Sequence, residues 1–357
     1  MQGTRSHALD AARGVLMILG ILLHTANIYS LDTHWLVTDL DNHPFFGMLA
    51  SIIHAFRMPA FFWISGYFCA LTFKRGGSQS LLAKRLPRLA IPLLVTWLTL
   101  NIAQEIILAI ANHQDIVTAV LDGVPLYHLW FLLDLLIYIS LAALVLPWFK
   151  KLHLPLHKLN NLPLPWLFAV LALATLLAIA AVRATGVAYV TPYGLTSLYR
   201  LASDLPYFAA GILMYVLPDL RKRFLSTPIL LFLVAVPVAL YVKPFEKGYS
   251  LVIVESALLL DILMTWISIG ALLNAFHAVF TKESPVTRFL SEASYSVFLF
   301  HHVLVVSLGF AFIDVGISPW VKFFLICLIT LAATSGLHIL LIRRVPLLSY
   351  AFNGKSL

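Results

Sequence analysis

Arg13 and His24 stand eleven residues apart in the stretch LDAARGVLMILGILLHTANIYS, Leu9 to Ser30. On a helix of 3.6 residues per turn that spacing is close to three turns, so both lie on one face, about 16 Å apart along the axis. Asp10, Met17, Gly20 and Asn27 fall on the same stripe. Gly20 leaves room there for a second helix or a ligand. The rest of the run is apolar enough for lipid, where an Arg or Asp at mid-helix costs on the order of 2.5–3.5 kcal/mol unless it meets a polar cavity or a partner. An imidazole in such a stripe, with a guanidinium three turns away, has the makings of a general base at the end of an anion path.

Other apolar runs carry the same kind of residue. In IIHAFRMPAFFWISGYF, His54 and Arg57 share a face, Arg57 lies deep, and Pro59 is placed to kink the helix. A buried Arg calls for an anion, a carboxylate or a cavity. Ser65 and Gly66 read as packing residues. In KRLPRLAIP, Arg85 and Arg88 are three apart and can both face a phosphate, or can serve only to anchor the segment. Asn101, Gln104 and Glu105 are too polar for lipid contact. HLWFLLD places His128 near one end of its span and Asp134 about 9 Å deeper by helix rise. Arg200 and Asp204, four apart, can pair with each other. Glu255 and Asp261 lie in one later span. SEASYSVFLFHH carries Glu292 and, about 14–15 Å further along, His301 and His302. Those neighbours point about 100° apart on a helix, so one of the two is expected to face the cavity. Lys322 is expected to snorkel, and His338 lies near the opposite end of the last span.

These residues need a scaffold, and composition names it. The chain has 357 residues, of which 61% are hydrophobic and 11% charged, against about 25% charged in a soluble domain. Repeated runs of about 18 or more apolar residues predict an all-α, polytopic membrane protein. Short alternating strands, the mark of a membrane barrel, do not dominate. Ten spans are expected, at about 8–30, 44–72, 89–111, 127–148, 164–182, 199–217, 228–242, 251–275, 289–313 and 319–342. The span at 228–242 is short and contains Pro237. One integral membrane domain over 1–357 is expected, without an internal repeat.

Lys and Arg set the orientation. Alternate connections hold seventeen of them, including Arg5, Lys74, Arg75, Lys84, Arg221 to Arg223, Arg343 and Lys355, while the other side holds Arg183, Lys243 and Lys247. Both termini are therefore expected in the cytoplasm. The net charge of +8 then reflects membrane topology, which argues against a nucleic-acid partner. The far-side loops carry Asp32, His34, Asp39, Asp41 and His43, then His113, Asp115 and Asp122, and read as solvated loops without zinc-ligand spacing. Cys69 and Cys327 sit in apolar runs and read as buried hydrophobes. The first apolar run contains Arg13 and lacks a small-residue cleavage site, which reads as a retained span. P-loop, Rossmann, Gly-x-Ser-x-Gly and HExxH patterns are absent, which leaves nucleotide-driven, hydrolase and zinc readings without support.

An Arg, ten residues and a His after Leu-Asp, followed by HLWFLLDLL and SYSVFLFH, resembles the integral membrane acyltransferase 3 family over essentially the whole chain. With Phe56-Arg57-Met58, the pattern is most similar to the branch that adds succinyl groups to osmoregulated periplasmic glucans. The resemblance implies a multi-pass protein of the bacterial inner membrane, with an acyl-CoA co-substrate (succinyl-CoA or acetyl-CoA) on the cytoplasmic side. The acceptor would be a hydroxyl of a periplasmic glucan or other envelope polysaccharide, and no permanently bound cofactor is implied. Arg85 and Arg88 would hold CoA phosphates, and Arg13 would guide the pantetheine arm. Arg57 would contact the donor or the succinyl carboxylate; His128, His301 and Asn27 would line the substrate path. His24 would take the hydroxyl proton, with Asp134, Glu105 or Glu255 orienting it. An O-acetyltransferase for another envelope polysaccharide and a proton-coupled secondary transporter are the competing readings.

Overall fold

In lipid, backbone N–H and C=O groups must be satisfied within the segment, which turns long apolar runs into helices. The computed structural model describes residues 7–31, 35–151, 156–242 and 250–354. Arg5, Asp32, His34, Lys243, Lys247 and Lys355 lie outside the described residues. Among the described residues every regular element is helical: α1 (His7–Ile28), α2 (Pro44–Thr96), α3 (Ile102–Ala111), α4 (Ile116–Leu121), α5 (Trp130–Lys151), α6 (Leu164–Arg183), α7 (Leu198–Val216), α8 (Pro218–Phe224), α9 (Leu231–Tyr241), α10 (Leu251–Val279), α11 (Pro285–Phe312), α12 (Pro319–Leu337) and α13 (Pro346–Asn353). Five-residue π-helical turns, Trp97–Asn101 and His338–Ile342, follow α2 and α12.

All ten expected segments are helical. Among the described residues, seven helical stretches are long and apolar enough to cross a membrane. One of them, Pro44–Ala111, contains two of the expected segments. Its dihedrals leave the helical region at Gly76 and Gly77, where Gly77 has φ +66°, a conformation that glycine adopts without steric cost. At Pro59, the expected kink site, the dihedrals stay helical. α7 carries Arg200 and Asp204 and is less apolar, and α9 has only 11 residues.

The chain forms two compact units. The first comprises the described residues of Met1–Ala12, Ala55–Arg85 and Asp134–Thr287. Within it α6 packs on α7 and α10, and α9 packs on α10. Gly66 and Gly211 let α2 and α7 touch backbone to backbone. A Cβ at Gly66 would lie 1.9 Å from the Phe208 carbonyl oxygen, and one at Gly211 would lie 1.9 Å from that of Trp63. This close approach through small residues is how helices associate where lipid gives no hydrophobic drive. The expected packing role of Gly66 thus has a physical basis. Trp63, Phe208, Phe224 and Trp266 fill the interior.

The second unit comprises the described residues of Arg13–His54, Leu86–Leu133 and Arg288–Leu357. Its core joins α1, the start of α2, α11 and α12 through Ile21, Leu23, Ile28, Phe46, Val305, Val306 and Phe323. Here two expectations are corrected. Lys322 does not snorkel: its ammonium donates to the Asp39 carboxylate at 2.7 Å, and both side chains are only 2–3% exposed. Asp39, assigned to a solvated loop, is therefore internal. The reason is tertiary: residues 35–43 fold back, with Asp39 N–H donating to the Ile28 carbonyl and His43 N–H to that of Tyr29. Of the cysteines, Cys69 is buried as expected and Cys327 only half-buried.

Candidate functional site

Four imidazoles of the second unit meet ring to ring. α1 supplies His24, the short 3₁₀ turn Tyr127–Leu129 supplies His128, and α11 supplies His301 and His302. The His24 ring centroid lies 5.3 Å from that of His301 and 4.7 Å from that of His302. His128 stacks on His302 at 4.6 Å and meets His301 edge-on at 5.2 Å. The expectation that one of His301 and His302 would face the others is corrected. Their backbone directions diverge, but His24 and His128 come from two different elements and touch both.

The parallel run of α1 and α11 explains the meeting. Arg13 Nη2 donates to Ser291 Oγ at 3.5 Å, and His24 touches His302. Eleven residues separate each pair along its own helix, so the two helices keep step from one contact to the other. A Cβ on Gly14 would lie 2.6 Å from the Leu290 carbonyl oxygen, which shows how closely they run at the Arg13 end.

Hydrogen bonds fix two of the tautomers. His302 Nδ1 lies 2.6 Å from Gln104 Oε1, and His301 Nδ1 lies 2.7 Å from the Phe298 carbonyl. Both oxygens only accept, so each ring carries its proton on Nδ1 and presents the Nε2 lone pair. His301, His302 and His128 are 0%, 2% and 7% exposed. His24 is half-buried, as is Trp35, which stacks on it at 5.5 Å and meets His302 edge-on at 5.4 Å.

The His128 side of the site is held by the π-helical turn before α3. Trp97 Nε1 donates to the Val124 carbonyl at 2.8 Å, and Asn101 Nδ2 to those of Pro125 and Leu126 at 2.9 and 3.1 Å. The clamped turn leads into Tyr127, whose φ of +47° is left-handed and costs about 1–3 kcal/mol for a non-glycine residue. Tyr127 donates its hydroxyl to Glu105 and packs against His302 at 5.7 Å. Such π-turns and left-handed residues occur often at functional sites.

The other expected site residues are placed as follows. Glu105 joins the site through Tyr127. Asn27 is half-buried on α1, beyond His24. Arg88 is exposed; its carbonyl accepts from the Tyr295 hydroxyl at 3.1 Å. Asp134, Arg57 and Arg85 belong to the first unit. There Arg200 Nε donates to Asp134 at 2.9 Å, a partner that the spacing does not indicate. Arg85 donates to Thr72 Oγ1 at 2.9 Å and to the Phe68 carbonyl at 3.2 Å. Arg57 is 7% exposed. Glu255, the third carboxylate expected near His24, takes a hydrogen bond from Arg183.

Sequence reasoning missed Trp35, Tyr127 and the role of His302. The polar triad Asn101, Gln104 and Glu105 was the available signal, because each member holds one part of the site. Among the described residues no three His, Cys, Asp or Glu side chains are placed to hold a metal ion.

The acyltransferase domain family matches residues 6–339 of the chain. The chain is 28% identical over 376 aligned positions to proteins named glucans biosynthesis protein C from Salmonella paratyphi B and Salmonella dublin, covering 98% of this chain and 95% of each of those. The protein of that name from Salmonella gallinarum is similar to the same extent. No solved structure matches.

Proposed function

Because the chain belongs to the integral membrane acyltransferase 3 family, we propose that it moves a succinyl group from acyl-CoA to hydroxyls of a periplasmic glucan, with His24 as general base. The observation that carries the choice of base is exposure. Of the four packed imidazoles, His24 alone is half-buried, while His301 and His302 are sealed in with Nδ1–H bonds to Phe298 and Gln104. A base must come within hydrogen-bond reach of the proton it takes.

In the proposed step an acceptor hydroxyl oxygen attacks the thioester carbonyl while His24 takes its proton. The carbon–oxygen bond forms, the carbon–sulfur bond breaks, and the departing thiolate receives the proton back from His24. Of the carboxylates expected to orient His24, Glu105 reaches the site through Tyr127, and the histidine packing adds to that restraint. His302, fixed by Gln104, and the Trp35 face restrict the His24 ring. Arg13 is the donor-side guide at the other end of α1, and Arg88 is exposed for a CoA phosphate. With the termini in the cytoplasm, His24 would face the periplasmic half of the inner membrane. The acceptor class rests on the relatives' printed name and on the family.

The test is purified protein given labelled succinyl-CoA and glucan. Transfer by the wild type and at least about a hundredfold loss in His24→Ala, with unchanged insertion and thermal unfolding, is the expected result; a general base contributes roughly 10²–10⁴-fold. Normal glucan substitution by His24→Ala would overturn the role of the base. Acetyl-CoA in parallel decides the acyl group, and vesicle uptake of glucan or succinate without transfer would point to a transporter.

A further inference from the structure

The Asp39–Lys322 pair joins residues 283 apart in the chain. Lys322 Nζ also donates to the Ile313 carbonyl at 3.2 Å, and Asp39 Oδ1 accepts from the Asp41 N–H at 3.0 Å. Taking two charges out of water costs several kcal/mol per ion, and apolar replacements of a buried pair are often as stable or more so. General stability therefore gives little reason for the pair. A buried pair of this kind can instead select one arrangement of the backbone that carries it.

That backbone is the strap of residues 35–43. Asp39 pins its middle to α12. Val37, 2% exposed, sits against Gly309 of α11, where an added Cβ would come within 3.2 Å of Val37 Cγ1. The strap's near end is Trp35, four residues before Asp39, with its indole stacked on His24 and edge-on to His302. The pair and the imidazole thus lie at two ends of one anchored segment.

We infer that Asp39 and Lys322 are positioning residues for the transfer reaction: their ion pair holds Trp35 against His24, covers one face of that imidazole, and fixes its orientation toward the acceptor hydroxyl. This rests on the proposed role of His24. Neither residue touches the reacting atoms; both act through Trp35. The strap is a wall of the site, so loosening it slows turnover without removing contacts that bind the donor.

The test has two arms. In the first, full-length protein in detergent is treated with diethyl pyrocarbonate, and carbethoxylation of His24 is followed by mass spectrometry. Asp39→Asn and Trp35→Ala are expected to label His24 at least about threefold faster than wild type, because displacing the indole opens the half-buried imidazole and its ring nitrogens to the reagent. Trp35→Phe keeps a ring there and is expected to stay near wild type. Asp39→Asn leaves the Lys322 ammonium buried without its carboxylate, so Asp39→Asn/Lys322→Met, which removes both charges, is the variant to use if the single change does not fold. In the second arm, Asp39→Asn and Trp35→Ala lower kcat about tenfold with KM for donor and acceptor within about twofold, the split expected of lost orientation. Unchanged His24 labelling in folded Asp39→Asn and Trp35→Ala overturns the inference, as does a loss confined to KM. If the wild type transfers no acyl group, the reading of the function fails, and the labelling arm still decides whether the pair holds the strap.

Discussion

Gln104 and His302 lie 198 residues apart in the chain and 2.6 Å apart in space, the amide oxygen accepting the imidazole Nδ1–H. Both side chains are at most 2% exposed. The bond fixes the tautomer of the ring that touches His24, His128 and Trp35 at once.

Gln104→Leu removes that acceptor and leaves a buried N–H without it, which costs about 1–3 kcal/mol. Thermal unfolding in detergent is expected to fall, and transfer to fall further than the stability loss explains, because His302 is released to turn. Gln104→Glu keeps an acceptor oxygen and is expected to retain more activity. Equal activity in all three proteins would remove His302 from the site's working parts.

Arg13 and His24 are expected to separate in kinetics. Arg13→Ala should raise KM for the acyl donor about tenfold or more, the order of a lost charge-assisted hydrogen bond, with a smaller change in kcat. Ser291→Ala removes only the neutral partner of Arg13 and is expected to do less. A kcat-only loss in Arg13→Ala would move Arg13 from donor guide to structural anchor.

Asn101→Leu cuts both hydrogen bonds to the Pro125 and Leu126 carbonyls. The left-handed conformation of Tyr127 is then held by fewer contacts, and His128 loses its placement on His302. About 1–3 kcal/mol of stability is expected to go, with a lower kcat. Trp97→Phe, which removes one clamp bond, should show the same pattern more weakly.

Gly211→Leu places a side chain where the Trp63 carbonyl already sits. Overpacking typically costs about 1–3 kcal/mol, more when backbone blocks the way. Lower yield of folded protein and a lower unfolding temperature are expected, with transfer per folded molecule unchanged. Wild-type yield and stability would mean that α2 and α7 separate at little cost.

The apolar runs and the helical period sufficed to determine the membrane class, the helical segments and the common face of Arg13 and His24. Lipid leaves a long, continuously apolar run no alternative to helix, and a helix fixes the direction of every side chain along it. Polarity within an apolar run also marks Asn101, Gln104 and Glu105 as groups needing partners. Which partner each one takes depends on distances across the chain, and no period encodes those. Spacing sets Asp204 beside Arg200 but gives no sign of Asp134, which accepts from it. Hydropathy suggested water for Asp39, but a backbone reversal brings it to Lys322. Helix geometry suggested one histidine of the 301–302 pair, but rings from α1 and the Tyr127 turn reach both. Only the packing of helices and connections distant in sequence decided these contacts.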